Sequence, residues 1–119
     1  MATSSEIRTA IRLLETFKLV DPDITLPSML AILYYIESDG KAGNQSEMEQ
    51  RLDMSTATAS RATSHWLKWK RPRVPGQNMI ESIPDPEDRR YRMITLNRNG
   101  AQFADKLKEA IRHGSQARK

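Results

Sequence analysis

Apolar positions recur with helical spacing along most of this chain, and the pattern turns strand-like late, between Met79 and Leu96. Ile7, Ala10, Ile11, Leu14 and Phe17 lie three and four apart, which predicts a first helix with one apolar stripe and a polar back. Thr3 and Glu6 form its candidate capping box, and Val20-Asp21-Pro22 breaks it near Leu19. A second helix opens at Leu26-Pro27, with Thr25 or Ser28 as cap and Pro27 suited to the first turn. Met29, Leu30, Ile32, Leu33, Tyr34, Tyr35 and Ile36 make it apolar nearly all round, so it belongs at the centre of the core. Tyr34 and Tyr35 read as buried rings with hydroxyls at the edge rather than as ligand contacts. Ser38-Asp39-Gly40 stops the helix.

Asn44 starts a third helix with Glu47 as its box partner, and Met48 and Leu52 face inward. After the turn Asp53-Met54, Ser55 caps a fourth helix expected to run to about Trp69. Short helices joined by so tight a turn read as a helix-turn-helix. At about 100° per residue, Ala59, Ala62, Trp66 and Trp69 share one side of the fourth helix as its core stripe. Trp66 is assigned to the core; Trp69 stays open between the core and a stacking platform for single strands. The opposite side carries Ala57, Ser60, Arg61, Ser64 and Lys68, with Thr56 at its margin. Such side chains suit base edges: Arg reads guanine bidentately, Ser and Thr adapt, and Ala meets a thymine methyl. A solvated helix face ordinarily mixes acids with bases, and this one has no acid. His65, at the edge of the buried sector, reads as a packing or phosphate-contacting residue rather than a catalyst.

Lys70-Arg71-Pro72-Arg73-Val74-Pro75-Gly76 follows as an exit loop held extended by its prolines. With Lys68, its basic residues are candidate phosphate contacts, above all Lys68 and Arg71. Then Met79–Ile83 and Arg92–Leu96 read as two strands around a polar, proline-broken turn, Pro84–Arg89. The turn carries Asp85, Glu87 and Asp88, then Arg89 and Arg90, as a DNA-binding wing would. Asn97 caps a fifth helix with Phe103, Ala104, Leu107, Ala110 and Ile111 as its stripe, and the tail Gly114–Lys119 reads as disordered.

Charge sharpens this picture. The 119 residues carry a formal net charge of +4, and from Met54 to Ile80 there is no Asp or Glu, which predicts one contiguous basic face. The wing, by contrast, is neutral: Asp85, Glu87 and Asp88 balance Arg89, Arg90 and Arg92. If it binds DNA, aimed arginines must do so, not bulk charge. There is no cysteine, which removes disulfides, thiolate metal sites and thiol redox sensing. No membrane-length apolar run or apolar signal core is present, so the chain reads as soluble and cytoplasmic. No nucleophile–base pair, metal-ligand spacing or phosphate-cradling glycine loop points to an enzyme, a metal or a cofactor.

The order helix, helix, helix-turn-helix, wing, helix resembles the MarR family of winged helix-turn-helix transcriptional regulators. Asp85-Pro86-Glu87-Asp88-Arg89-Arg90, with Ile94-Thr95-Leu96 and Gly100, is similar to that family's wing pattern, Asp-Pro-x-Asp-Arg-Arg then x-Leu-Thr-x-x-Gly. Here Thr95 precedes Leu96, and Asn97 stands where the family has its threonine. Ser55–Arg61 is similar to the start of its recognition helix, with Ser60-Arg61 for the usual Thr-Arg. The resemblance implies a homodimer on a pseudo-palindromic operator, mostly as a repressor, with recognition helices in major grooves and wings in minor grooves. It also implies that Asp88 positions Arg90, with Arg89 beside it. Departures are Asp53 where a glycine is common, a Lys70–Gln77 link longer than usual, and short terminal helices.

The expectation is therefore a single winged helix-turn-helix domain over residues 1–113. Its class is mainly α with a small β-hairpin (α+β): about five helices plus a two-stranded wing. It should bind double-stranded DNA through Thr56, Ala57, Ser60, Arg61, Ser64, Lys68, Arg71, Asp88, Arg89 and Arg90. Two alternatives stay open: a DNA-binding accessory factor for replication or partition without an effector switch, and a winged-helix protein-interaction module. The sequence names no effector.

Overall fold

The computed structural model describes residues 2–39 and 43–114. Gly40, read as part of a helix stop, and residues 115–119 of the expected tail lie outside the described residues. The elements are α1 (Ala2–Val20), α2 (Leu26–Glu37), α3 (Gln45–Leu52), α4 (Thr56–Trp66), β1 (Trp69–Arg71), β2 (Val74–Pro75), β3 (Ile80–Pro84), β4 (Arg92–Leu96) and α5 (Arg98–Gly114). They fall into two compact units, Met1–Ile24 with Gln102–Lys119, and Thr25–Ala101.

In the larger unit, local capping chemistry sets each helix start. Thr25, Asn44 and Ser55 all have extended backbones, and their side-chain oxygens accept from the N–H groups of Ser28, Glu47 and Thr58. Asn97 does the same for α5, accepting from the Gly100 N–H at 2.9 Å. Asparagine caps at least as well as threonine, so the departure from the family pattern at this position costs nothing. Gly100 itself is demanded by packing: a Cβ there would stand 2.1 Å from the Met79 carbonyl oxygen. The α3–α4 turn puts Asp53 in the left-handed region at φ 54, a conformation that costs an L-residue about 1–2 kcal/mol and that aspartate tolerates better than most.

The core of this unit is built on α2 against α4, with Ala31, Ile32, Tyr35, Met48, Ala59, Ala62, Trp66, Ile80 and Ile94 buried. Two buried hydrogen bonds fix α4 on α2. The Trp66 indole N–H donates to the Ser28 carbonyl at 2.7 Å, and the Tyr35 and Thr63 hydroxyls bond each other at 2.8 Å. Burial pushes the Tyr35 phenol up to about 12 from its ordinary 10.0. That raised value means the stability tied to a neutral Tyr35 is complete below pH 10.0 and is lost as pH rises towards about 12. Tyr35→Phe is expected to lower stability in urea by about 1–2 kcal/mol at pH 7, by leaving the buried Thr63 hydroxyl a partner short. It should also flatten the loss of stability above pH 10.0.

The wing is antiparallel β3–β4, in register from Ile80↔Leu96 to Pro84↔Arg92. Its strand begins at Ile80, one residue later than the sequence pattern suggests. On the other side of β4, the Ile94 N–H donates to the Gly43 carbonyl at 2.9 Å and the Leu96 N–H to Asp39 Oδ1 at 3.1 Å. The wing is thus anchored to the chain between α2 and α3.

Three expectations are corrected in detail. The fourth helix ends at Trp66, not near Trp69, because Leu67 turns extended (φ −74, ψ 168). Trp69 then leaves the core stripe and is 52% exposed, whereas Trp66 is fully buried. The segment read as an extended loop folds into a second small sheet, β1–β2.

In the smaller unit, α1 starts at Ala2, so Thr3 lies inside the helix rather than capping it. Phe17 meets Phe103 of α5 edge to face at 5.5 Å between ring centroids, and Ala104 and Leu107 are buried. The rest of the α1 stripe is not core: Ile7, Ile11 and Leu14 are each more than half exposed. Periodicity identified the face correctly and left open what covers it. No helix among the described residues is long and apolar enough to cross a membrane.

Candidate nucleic-acid interface

The outer side of α4 presents Thr56, Ala57, Ser60 and Arg61 exposed, with Ser64 half-buried and Lys68 exposed just past the helix end. These six expected residues are brought together along one face. Its opposite side, with Ala59, Ala62 and Trp66, is packed on α2, so the face cannot roll away without breaking the two buried hydrogen bonds above. His65 is buried with its ring edge-on to Trp66 at 4.8 Å, which fits the packing reading. One feature escaped the sequence. The Thr56 hydroxyl donates to Glu49 Oε1 of α3 at 3.0 Å, so an acid borders a face whose own segment has none. Only the tertiary fold brings them together.

At the wing, the turn is organised by its own aspartates. Asp85 Oδ1 accepts from the Glu87 N–H at 2.9 Å, and Asp88 Oδ1 accepts from the Arg90 N–H at 3.2 Å. Asp88 then grips the Arg90 guanidinium from two sides, Nε to Oδ1 at 3.0 Å and Nη2 to Oδ2 at 2.9 Å. Those bonds from Arg90, side chain first and backbone second, hold the Asp88 carboxyl below the usual carboxylate range. The Arg90 guanidinium also lies 5.8 Å from the Tyr91 ring centre. It remains 82% exposed, so it is aimed yet open. Arg89 is exposed beside it. Arg71 is exposed on β1, past the end of α4.

Between α3, α4 and the wing lies an open cleft of about 490 Å³, with Gln45, Ser46, Gln50, Ser82, Tyr91 and Arg92 on its walls. Arg92 is steadied there by Ser82, Nε to the hydroxyl at 3.1 Å and Nη2 to the carbonyl at 2.6 Å. These residues come from three separated segments, and sequence reasoning did not single them out. Among the described residues, no group of His, Asp or Glu has the arrangement of a metal site.

The helix α4 pinned to a core helix, a two-stranded wing and a carboxylate-held arginine at its tip together define the architecture. It matches that of S. aureus MepR bound to ethidium bromide, with TM-score 0.69 and 15% identity over 91% of this chain and 70% of that one. It also matches RV1404 from Mycobacterium tuberculosis, with TM-score 0.67 and 20% identity over 92% of this chain and 67% of that one. Both are MarR-family regulators. The fold is that of a MarR-like winged helix. No family model matches the sequence, and no curated protein matches it. The MarR-like fold therefore rests on shape and on the wing residues, and the chemistry of the interface on this chain's own side chains.

Proposed function

We propose that this protein is a sequence-specific, double-stranded DNA-binding transcriptional regulator that acts as a dimer, with repression as its mode. The observation that carries the reading is the pairing of an α4 face that has no acid of its own with an arginine held by Asp88 on a neutral wing. Thr56, Ala57, Ser60, Arg61 and Ser64 contact base edges in the major groove. Arg89 and Arg90 enter the adjacent minor groove, and Lys68 and Arg71 take phosphates. The strand that separates the two grooves then passes over the cleft holding Arg92, Ser46 and Gln50, which supplies further backbone contacts. The open α1 stripe of Ile7, Ile11 and Leu14 supports a second copy as its cover. The likeness in fold to two MarR-family regulators supports the regulatory role.

Selection of bound duplexes from a random pool tests this directly. An inverted repeat is expected, with half-sites about 10 base pairs apart or a multiple of that. A non-palindromic consensus, or no enrichment, would count against a dimeric reader. With the selected site in hand, Arg61→Ala should weaken specific binding by about 1–3 kcal/mol and leave binding to random DNA nearly intact. Equal losses on both would remove Arg61 from direct base readout.

A further inference from the structure

We propose that the β1–β2 hairpin is a second DNA arm, mounted on the recognition helix, that grips backbone phosphates beyond the bases α4 reads. This rests on the duplex-binding reading above. The first observation is charge. Lys68, Lys70, Arg71 and Arg73 fall within six residues, and no acid occurs from Met54 to Ile80. All four are exposed, and among the described residues no carboxylate pairs with any of them. The wing tip, in contrast, balances its charges, so the hairpin is the more cationic of the two projections.

The second observation is the mount. Four consecutive amides of the returning chain donate to carbonyls of the last turn of α4 and of the two residues that follow it. Gly76 N–H reaches Lys68 at 3.0 Å, Gln77 reaches His65 at 2.9 Å, Asn78 reaches Leu67 at 3.1 Å and Met79 reaches Trp66 at 2.7 Å. These carbonyls would otherwise lack backbone partners, as helix ends do. The approach is so close that a Cβ on Gly76 would stand 2.1 Å from the Leu67 carbonyl oxygen and 2.9 Å from that of Ser64. The arm is therefore fixed to the reading helix and is carried wherever that helix docks. Its turn places Arg73 in the left-handed region at φ 66, at the far end from the mount.

Reach follows from strand geometry. A three-residue strand spans roughly 10 Å, about three base-pair steps of 3.4 Å. Contacts from a featureless row of cations to phosphates carry no base information. The arm should thus add affinity and salt dependence without changing the preferred sequence.

The test is the Lys70→Gln, Arg73→Gln double variant of the full chain, which spares Lys68 and Arg71. Affinity for the selected duplex and for random duplex is measured from 50 to 200 mM salt, with hydroxyl-radical footprints and a thermal melt as folding control. With two phosphates released, the slope of log affinity against log salt should shrink by about 1–2 units on both duplexes. Protection should shorten by about three nucleotides at one edge of each half-site. An unchanged slope and footprint, with wild type binding normally, would overturn the arm and leave the regulator reading standing. That result is also what an acidic protein partner for the hairpin would give. Loss on the selected duplex alone would overturn the phosphate assignment in favour of base contact. Failure of the wild-type chain to bind any duplex would overturn both readings.

Discussion

An Ile11→Asp, Leu14→Asp chain is expected to sediment as a monomer and to bind a two-half-site operator about 100-fold or more weakly than the wild type, with single half-site binding little changed. Both residues are about half exposed on one stripe of α1, with Ile7 alongside. Completing the burial of one such side chain is worth about 1 kcal/mol, half of the roughly 2 kcal/mol for full burial. A carboxylate placed in the stripe would have to be buried without a partner on association, so two on each copy should leave no dimer at micromolar concentration. The affinity loss then follows from geometry, because the second half-site no longer benefits from the effective concentration set by the first. Sedimentation equilibrium alongside titration of whole and half operators checks both parts. A dimer that survives the double substitution would place the interface elsewhere.

The second large effect concerns charge of the opposite kind. Asp88→Ala makes the protein more positive, yet it should weaken operator binding by about tenfold. Bulk electrostatics predicts the reverse, since removing an acid near phosphates ought to tighten binding. The reason lies in the paired contacts from Arg90 to both oxygens of Asp88. They hold a long, rotamer-rich side chain in one direction before DNA arrives, so its ordering is not charged against binding. An exposed ion pair contributes little to folding, and the melting temperature should hardly move. Because the Asp88 carboxyl sits below the usual carboxylate range, the pair is intact at neutral pH and is lost only as pH falls through that lowered value. Titration of operator and random DNA by fluorescence anisotropy, with wild type and Asp88→Ala side by side, decides the matter. Tighter binding by the variant would reduce the wing to simple electrostatics.

What could be read from the chain alone was what is local. The caps at Thr25, Asn44, Ser55 and Asn97 act across three residues, so their chemistry is written in adjacent letters. The wing strands alternate enough to be found, and its turn carries a recognisable run, Asp85–Arg90. The outer face of α4 followed from helical phase, although the helix is shorter than its apolar period suggests. That period runs on to Trp69 although the backbone has turned extended at Leu67, because hydrophobic spacing does not register φ and ψ. The β1–β2 hairpin escaped for a related reason. All three residues of β1 are exposed, so it shows no alternation, and its turn uses an arginine in a conformation usually left to glycine or asparagine. Glu49 meets Thr56 only through the angle of the α3–α4 turn, and the cleft around Arg92 joins segments far apart in the chain, so neither has a signature in helical spacing.

The bonds from Ile94 to Gly43 and from Leu96 to Asp39 have one more consequence. A two-stranded wing leaves an unpaired strand border, the usual entry point for stacking with other chains or for exchanging a hairpin between copies. Here amides along that border are already occupied by the chain ahead of α3. Uncontrolled polymerisation through the wing is thereby discouraged, which leaves the α1 stripe as the surface through which the proposed dimer would form.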